Sequence, residues 1–174
     1  MAFDEVNDLE SLRIVVEELG RRIAAPTDSL PTYNKSRDFA YPHIEHDSRG
    51  FHYVVVEKGK EQKRGTTQDV DELLYLIFQG VTFDMAMAYE LKNRMEKRDC
   101  RRMLWQNQLE LLGQLKDSWR AKRETDIQNI LTKHPFDDLA GIRATLAGAL
   151  RKQGFSSEAA SEKAYEKYPL PAQN

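Results

Sequence analysis

Leu9, Leu12, Val15, Val16, Leu19 and Ile23 return at three- and four-residue intervals, a spacing that predicts an amphipathic helix from about Asp8 to Ala25. Asn7 with Glu10 three positions later fits an N-cap arrangement, and Pro26 stops a regular continuation. Residues 26–40 (PTDSLPTYNKSRDFA) follow neither the helical nor the strand period and predict an irregular connection. A loop of that length is uncommon in a small domain. Two readings stand: a functional loop, or one pinned to the core by Leu30, Tyr33 and Phe39.

Alternation takes over next. Phe51 to Glu57 is dense in aromatic and β-branched residues and is bounded by glycine-containing turns, so it predicts a strand. Phe51, Tyr53 and Val55 point to one side and His52, Val54 and Val56 to the other, which places this strand in the middle of a sheet. His43 to His46 and Glu61 to Thr66 pair with it as a meander, through turns containing Gly50 and Gly59. The third strand has no large apolar side chain, and its Lys63 and Arg64 mark it as an exposed edge.

Asp69 is placed to cap a helix in which Leu73, Leu74, Leu76, Ile77 and Phe78 leave little polar surface, so this helix is expected to be the most buried. Gly80 is expected to break it, with Thr82 or Asp84 starting a long tract whose core positions are Phe83, Met87, Leu91, Met95, Leu104, Leu111, Leu112 and Leu115. Asp99 divides that tract, and Ser118 caps a further helix that ends at His134-Pro135. Leu139, Ile142, Leu146 and Leu150 predict another helix closed by Gly154, and Ser157 to Tyr168 a short alanine-rich one. The expectation is an α+β fold, predominantly helical, with a small three-stranded antiparallel β-meander packed against helices.

The length of 174 residues suits one main domain with a real core. A formal net charge of -2 argues against a general nucleic-acid binder. Charge is nevertheless uneven: residues 65–91 hold five acids and no Lys or Arg, whereas residues 92–102 (KNRMEKRDCRR) hold six bases. That basic strip lacks the aromatic residues of a single-strand binder and has i, i+4 partners such as Glu90 with Arg94. A single cysteine, Cys100, no signal peptide at the N-terminus and no apolar stretch of roughly 20 residues give the expectation of a cytoplasmic, soluble protein.

Catalytic and metal signals are weak. His43, His46 and His52 lie near Glu45 and Asp47, but His43 and His46 face opposite sides of a strand, so they do not converge on one ion, whereas His43 and Glu45 share a face. A histidine-dependent nuclease or hydrolase using His43, His46 or His52 is an alternative without a specifying motif. The nine glycines form no phosphate-binding pattern. From the residues alone no catalytic group, cofactor or metal site is expected.

Ser36–Gly59 (SRDFAYPHIEHDSRGFHYVVVEKG), Thr66–Arg94 (TTQDVDELLYLIFQGVTFDMAMAYELKNR), Gln108–Leu115 (QLELLGQL) and Lys133–Asp138 (KHPFDD) together resemble the immunity protein 63 family of bacterial polymorphic toxin systems. The resemblance implies an immunity-protein-like α+β domain over residues 1–138; residues 139–174 fall outside it and are expected as a helical C-terminal extension packed on the same domain. It implies a bacterial antidote that neutralises a cognate toxin C-terminal domain, expected as a 1:1 complex, and it brings no catalytic residues. Charge and hydropathy give the expectation of no nucleic-acid or membrane partner. Should that toxin be basic, Glu45, Asp47, Asp69, Asp71, Glu72 and Asp84 are the candidate partner-binding residues. A helical adaptor acting through the C-terminal segment is the remaining alternative.

Overall fold

A computed structural model describes residue 3 and residues 5–171. The described residues fall into two compact units, one formed by residues up to 85 together with 110–120, the other by 86–109 together with 121–171.

In the first unit, α1 spans Leu9–Arg22. Its cap is Asp8, one residue beyond the expected Asn7: Asp8 Oδ1 accepts from Ser11 N at 2.8 Å, while Ser11 Oγ accepts from Asp8 N at 3.3 Å. Ser11 thus closes a reciprocal box that Glu10 does not, and two backbone donors at the helix start are satisfied. Leu12, Val16 and Leu19 line its buried face.

The sheet has four strands in the order β1 (Thr32–Tyr33), β2 (Tyr41–Asp47), β3 (Gly50–Glu57) and β4 (Lys60–Thr67). The β2–β3–β4 meander is antiparallel, with His43 opposite Val54 and Tyr53 opposite Gly65. The expected three-stranded antiparallel sheet is corrected by β1, which pairs parallel to β2 through Thr32 with His43 and Tyr33 with Ile44 and makes the sheet mixed. Two residues between Pro31 and Asn34 carry too short an alternation to read, and the return to β2 relies on the left-handed residues Asn34, Asp38, Phe39 and Ala40. β3 is interior and β4 is an exposed edge, as its residue pattern predicts.

One sheet face sends Ile44 and Phe51 into the core, with Tyr33 and Tyr53 packed against it. The core is completed by Leu12, Val16 and Leu19 of α1, by Leu73, Leu74, Ile77, Phe78 and Val81, and by Leu112, Leu115 and Trp119. The Trp119 ring stacks at 6.1 Å from Phe78 and 6.5 Å from Phe3.

Leu73 to Val81 belong to α2, which runs unbroken over Val70–Asn93. Gly80 does not break it, and neither Thr82 nor Asp84 starts a helix. Glycine inside a helix costs about 1 kcal/mol relative to alanine, less than the burial of the five apolar side chains around it contributes. A Cβ at Gly80 would lie 3.8 Å from Tyr53 Oη, an ordinary contact, and the buried Thr82 returns its hydroxyl to Phe78 O at 2.6 Å. Burial holds only for the first part of α2. Met87 and Leu91, expected in the core, are 40% and 59% exposed, and Met95 beyond the helix is 51% exposed.

α3 spans Cys100–Leu115 and α4 Asp117–Lys133, so Ser118 lies within α4 and does not cap it. Asp99 divides α2 from α3 as expected, its Oδ1 accepting from Arg101 N at 2.9 Å. In the second unit, α5 (Ala140–Lys152) and α6 (Ser157–Lys167) pack through the small residues Ala147, Ala160 and Ala164. Gly154 makes the intervening turn at φ +96°. Buried Arg143 donates to Asp137, Tyr168 O and Pro169 O, fastening the segment after α6.

Candidate interaction surface

The six candidate acids occupy three places in the first unit: Glu45 and Asp47 on β2, Asp69, Asp71 and Glu72 at the start of α2, and Asp84 further along it. Most are engaged within the fold. Glu45 accepts from Arg64 Nη1 at 2.7 Å and contacts His43 Nε2 at 3.0 Å. The Arg64 guanidinium holds the Glu45 carboxyl below its usual range. Arg64 reaches Glu61 as well, at 2.7 Å, so one guanidinium bridges two carboxylates across the sheet face turned away from the core. Sequence reasoning gave Arg64 only the task of blocking edge pairing; its spacing of three from Glu61 was the available signal.

Asp47 pairs with Arg49 at 2.8 Å and accepts from its backbone N–H, which holds the carboxyl far below the ordinary carboxylate range. Asp69 is consumed as the cap of α2, its Oδ1 accepting from Asp71 N at 2.9 Å and Glu72 N at 3.2 Å. Asp71 Oδ1 accepts from Lys116 Nζ at 2.7 Å and Trp119 Nε1 at 3.0 Å. Glu72 accepts from Thr67 Oγ1 at 3.2 Å. Asp84 has no ion-pair partner among the described residues, and crowding by the chain around it pushes its carboxyl above the usual range. Its negative charge in turn adds to the burial that raises the Tyr53 hydroxyl.

The histidines do not converge. His43 and His52 are 4% and 2% exposed, beneath the polar side chains of β2 and β4. His52 Nδ1 meets Thr66 Oγ1 at 2.8 Å, and its Nε2 lies 2.9 Å from Asp47 Oδ1 without hydrogen-bond alignment. His46 stacks on Phe51 at 4.5 Å. Among the described residues no group of three or more His, Cys, Asp or Glu side chains is placed to hold a metal ion. Two bases of the strip are paired with acids nearby in sequence, Arg94 with the buried Glu90 and Arg101 with the buried Asp99, at 2.8 and 2.7 Å.

The model of the family Immunity protein 63 matches residues 47–129. Over that segment the chain is immunity protein 63-like. The matched segment begins at Asp47, the last residue of β2, takes in β3, β4, α2 and α3, and ends within α4. The resemblance read from the separated blocks of sequence thus holds over the sheet's main hairpin and the helix that fills the core of the first unit. No curated protein and no solved structure matches the chain. No helix among the described residues is long and apolar enough to cross a membrane.

Proposed function

We propose that this chain is the antidote of a bacterial toxin, binding the toxin's C-terminal domain one-to-one and covering its active site or the surface that receives its substrate. The observation that carries the reading is the match of residues 47–129 to an immunity-protein family. The architecture suits that task, because an inhibitor needs a rigid surface and no reacting groups of its own. The sheet supplies rigidity: its outward face is laced by the Glu61–Arg64–Glu45 and Asp47–Arg49 pairs.

The candidate acids remain the proposed contacts toward a basic toxin, with Asp84 first among them because no cation of the first unit neutralises it. Charge complementarity of this kind speeds encounter more than it deepens affinity. In a bacterial cytoplasm the antidote meets the toxin without crossing a membrane. Residues 139–174 are taken as an accessory extension, so that their removal leaves toxin binding in place.

The test is co-purification of the full chain with the C-terminal domain of the protein encoded immediately upstream, joined to growth rescue when that domain is expressed alone. A one-to-one complex with rescue supports the proposal. A folded chain that gives neither refutes it.

A further inference from the structure

Of the three apolar residues in the connection between α1 and β2, Leu30 is buried in the core and Tyr33 packs against it, but Phe39 is 90% exposed. Phe39 is not held loosely. Asp38, Phe39 and Ala40 take φ values of 60°, 55° and 59°, three successive left-handed residues that each carry a Cβ. That conformation is disfavoured for every one of them.

The surrounding bonds impose it. Asp38 N donates to Ser36 Oγ at 2.9 Å, and Asp38 Oδ1 accepts from Phe39 N at 2.9 Å. Asp38 Oδ2 accepts from Gly59 N at 3.2 Å, and Ala40 N donates to Val56 O at 2.9 Å, which ties the turn to the β3–β4 hairpin. Beside it Arg37 stacks on Tyr41 at 3.7 Å and donates to Asp28 O. A lone exposed apolar residue is ordinary. One held out on a braced, strained turn is not, since such strain persists where the displayed geometry is used.

The rim is net cationic. Lys58, whose side chain is 90% exposed, and Lys60 lie on the hairpin that binds Asp38, with Lys58 Nζ 3.9 Å from the carboxylate of Glu57 and the nearby Glu61 already engaged by Arg64. We propose that Phe39 is the anchor by which this chain enters a pocket on the toxin domain, an apolar pocket with carboxylates at its mouth that face Lys58 and Lys60. This rests on the antidote reading and names its contact. A single aromatic ring on a fixed turn fits a shaped protein pocket and loses little freedom on binding. A membrane surface takes a broad apolar helix face instead, and a second copy meeting across a two-fold axis would bring the same lysines face to face.

The experiment measures binding of the full chain to the purified upstream C-terminal domain. Phe39→Ala is expected to raise Kd by at least ~30-fold, mostly through faster dissociation, with an unchanged Tm. The double variant Lys58→Glu, Lys60→Glu is expected to slow association and to flatten its salt dependence. Wild-type binding with a Phe39→Ala Kd within ~3-fold of it overturns the anchor and leaves the antidote reading standing. Absence of wild-type binding overturns both. The anchor is also overturned if Phe39→Ala lowers Tm, which makes the ring part of the fold, if it dissolves a dimer of the chain alone, or if it releases the chain from anionic vesicles without changing toxin affinity.

Discussion

Replacing Asp71 tests whether the acids at the start of α2 belong to the fold before they belong to any partner. Asp71 Oδ1 receives the Lys116 ammonium and the Trp119 indole N–H, and Trp119 is 2% exposed against Phe78 and Phe3. Truncation to alanine leaves the indole N–H without its acceptor, which costs about 1–3 kcal/mol. The half-exposed ion pair with Lys116 adds about 0–1 kcal/mol, and loss of a negative charge in the first helical turn about 0.3–1 kcal/mol. The expected loss for Asp71→Ala is therefore about 1–5 kcal/mol. Asp71→Asn keeps an oxygen for the indole and gives up only the charge, so about 1 kcal/mol is expected. Urea unfolding followed by far-UV circular dichroism measures both, and a cycle with Trp119→Phe isolates the indole bond. If Asp71→Ala unfolds within about 0.5 kcal/mol of wild type, the size of an ordinary surface substitution, the tie carries no stability and the acid is free to serve a partner.

Further outcomes follow from single features of the structure. Gly50 has φ +118° and a Cβ there would lie 2.5 Å from Thr67 O, whereas Gly59 has φ +69° with nothing within 4 Å. Gly59→Ala should cost about 1–2 kcal/mol from backbone conformation alone and Gly50→Ala clearly more, as read from urea midpoints; equal effects would refute the steric account. Burial alone would raise the Asp99 carboxyl, but hydrogen bonds from Arg101 and from the Asp137 backbone outweigh it and leave its pKa depressed. Its contribution to stability is therefore complete above the unfolded carboxylate pKa of about 3.9 and is lost as pH falls through the lower folded value. Asp99→Asn should be less stable at neutral pH and show a flatter decline in acid, and a parallel profile would refute the assignment. Asp84 is shifted the other way, so Asp84→Asn should raise Tm slightly at neutral pH, with the difference vanishing as the wild-type carboxyl protonates in acid.

Periodicity located α1, the interior position of β3, the exposed edge of β4 and the cap at Asp69, because each is fixed by interactions among residues close in sequence. What it missed was decided by distant contacts. Gly80 reads as a break until Tyr53 and the buried residues on either side of it are placed around α2. β1 is two residues long and gains its strand character only from pairing with His43 and Ile44. Met87 and Leu91 continue the apolar period of α2 but are exposed, because a helical repeat specifies a face and not how far along the helix that face is covered. At the candidate surface the acidic residue types were legible and their occupancy was not: spacing allowed His43 to meet Glu45, while the reach of Lys116 back to Asp71 requires the folded chain.

Occupancy decides which acid can speak for a partner. Reversing Asp69, Asp71 and Glu72 together removes the cap of α2, the acceptor of Trp119 and the bond from Thr67 in one step. Lost binding in such a variant would report a damaged helix start as readily as a lost contact. Glu45 and Asp47 carry the same ambiguity through Arg64, Arg49 and their histidine neighbours. Asp84 does not, since its charge is already disfavoured where it stands and nothing in its unit neutralises it. A cationic group on the toxin would relieve that cost on binding, so the Asp84 carboxyl should become harder to protonate in the complex and affinity should weaken as pH falls toward its free-state titration. Affinity with the upstream domain measured across that range, for wild type and Asp84→Asn, isolates the effect: the wild-type slope should exceed that of the variant, and identical slopes would remove Asp84 from the interface.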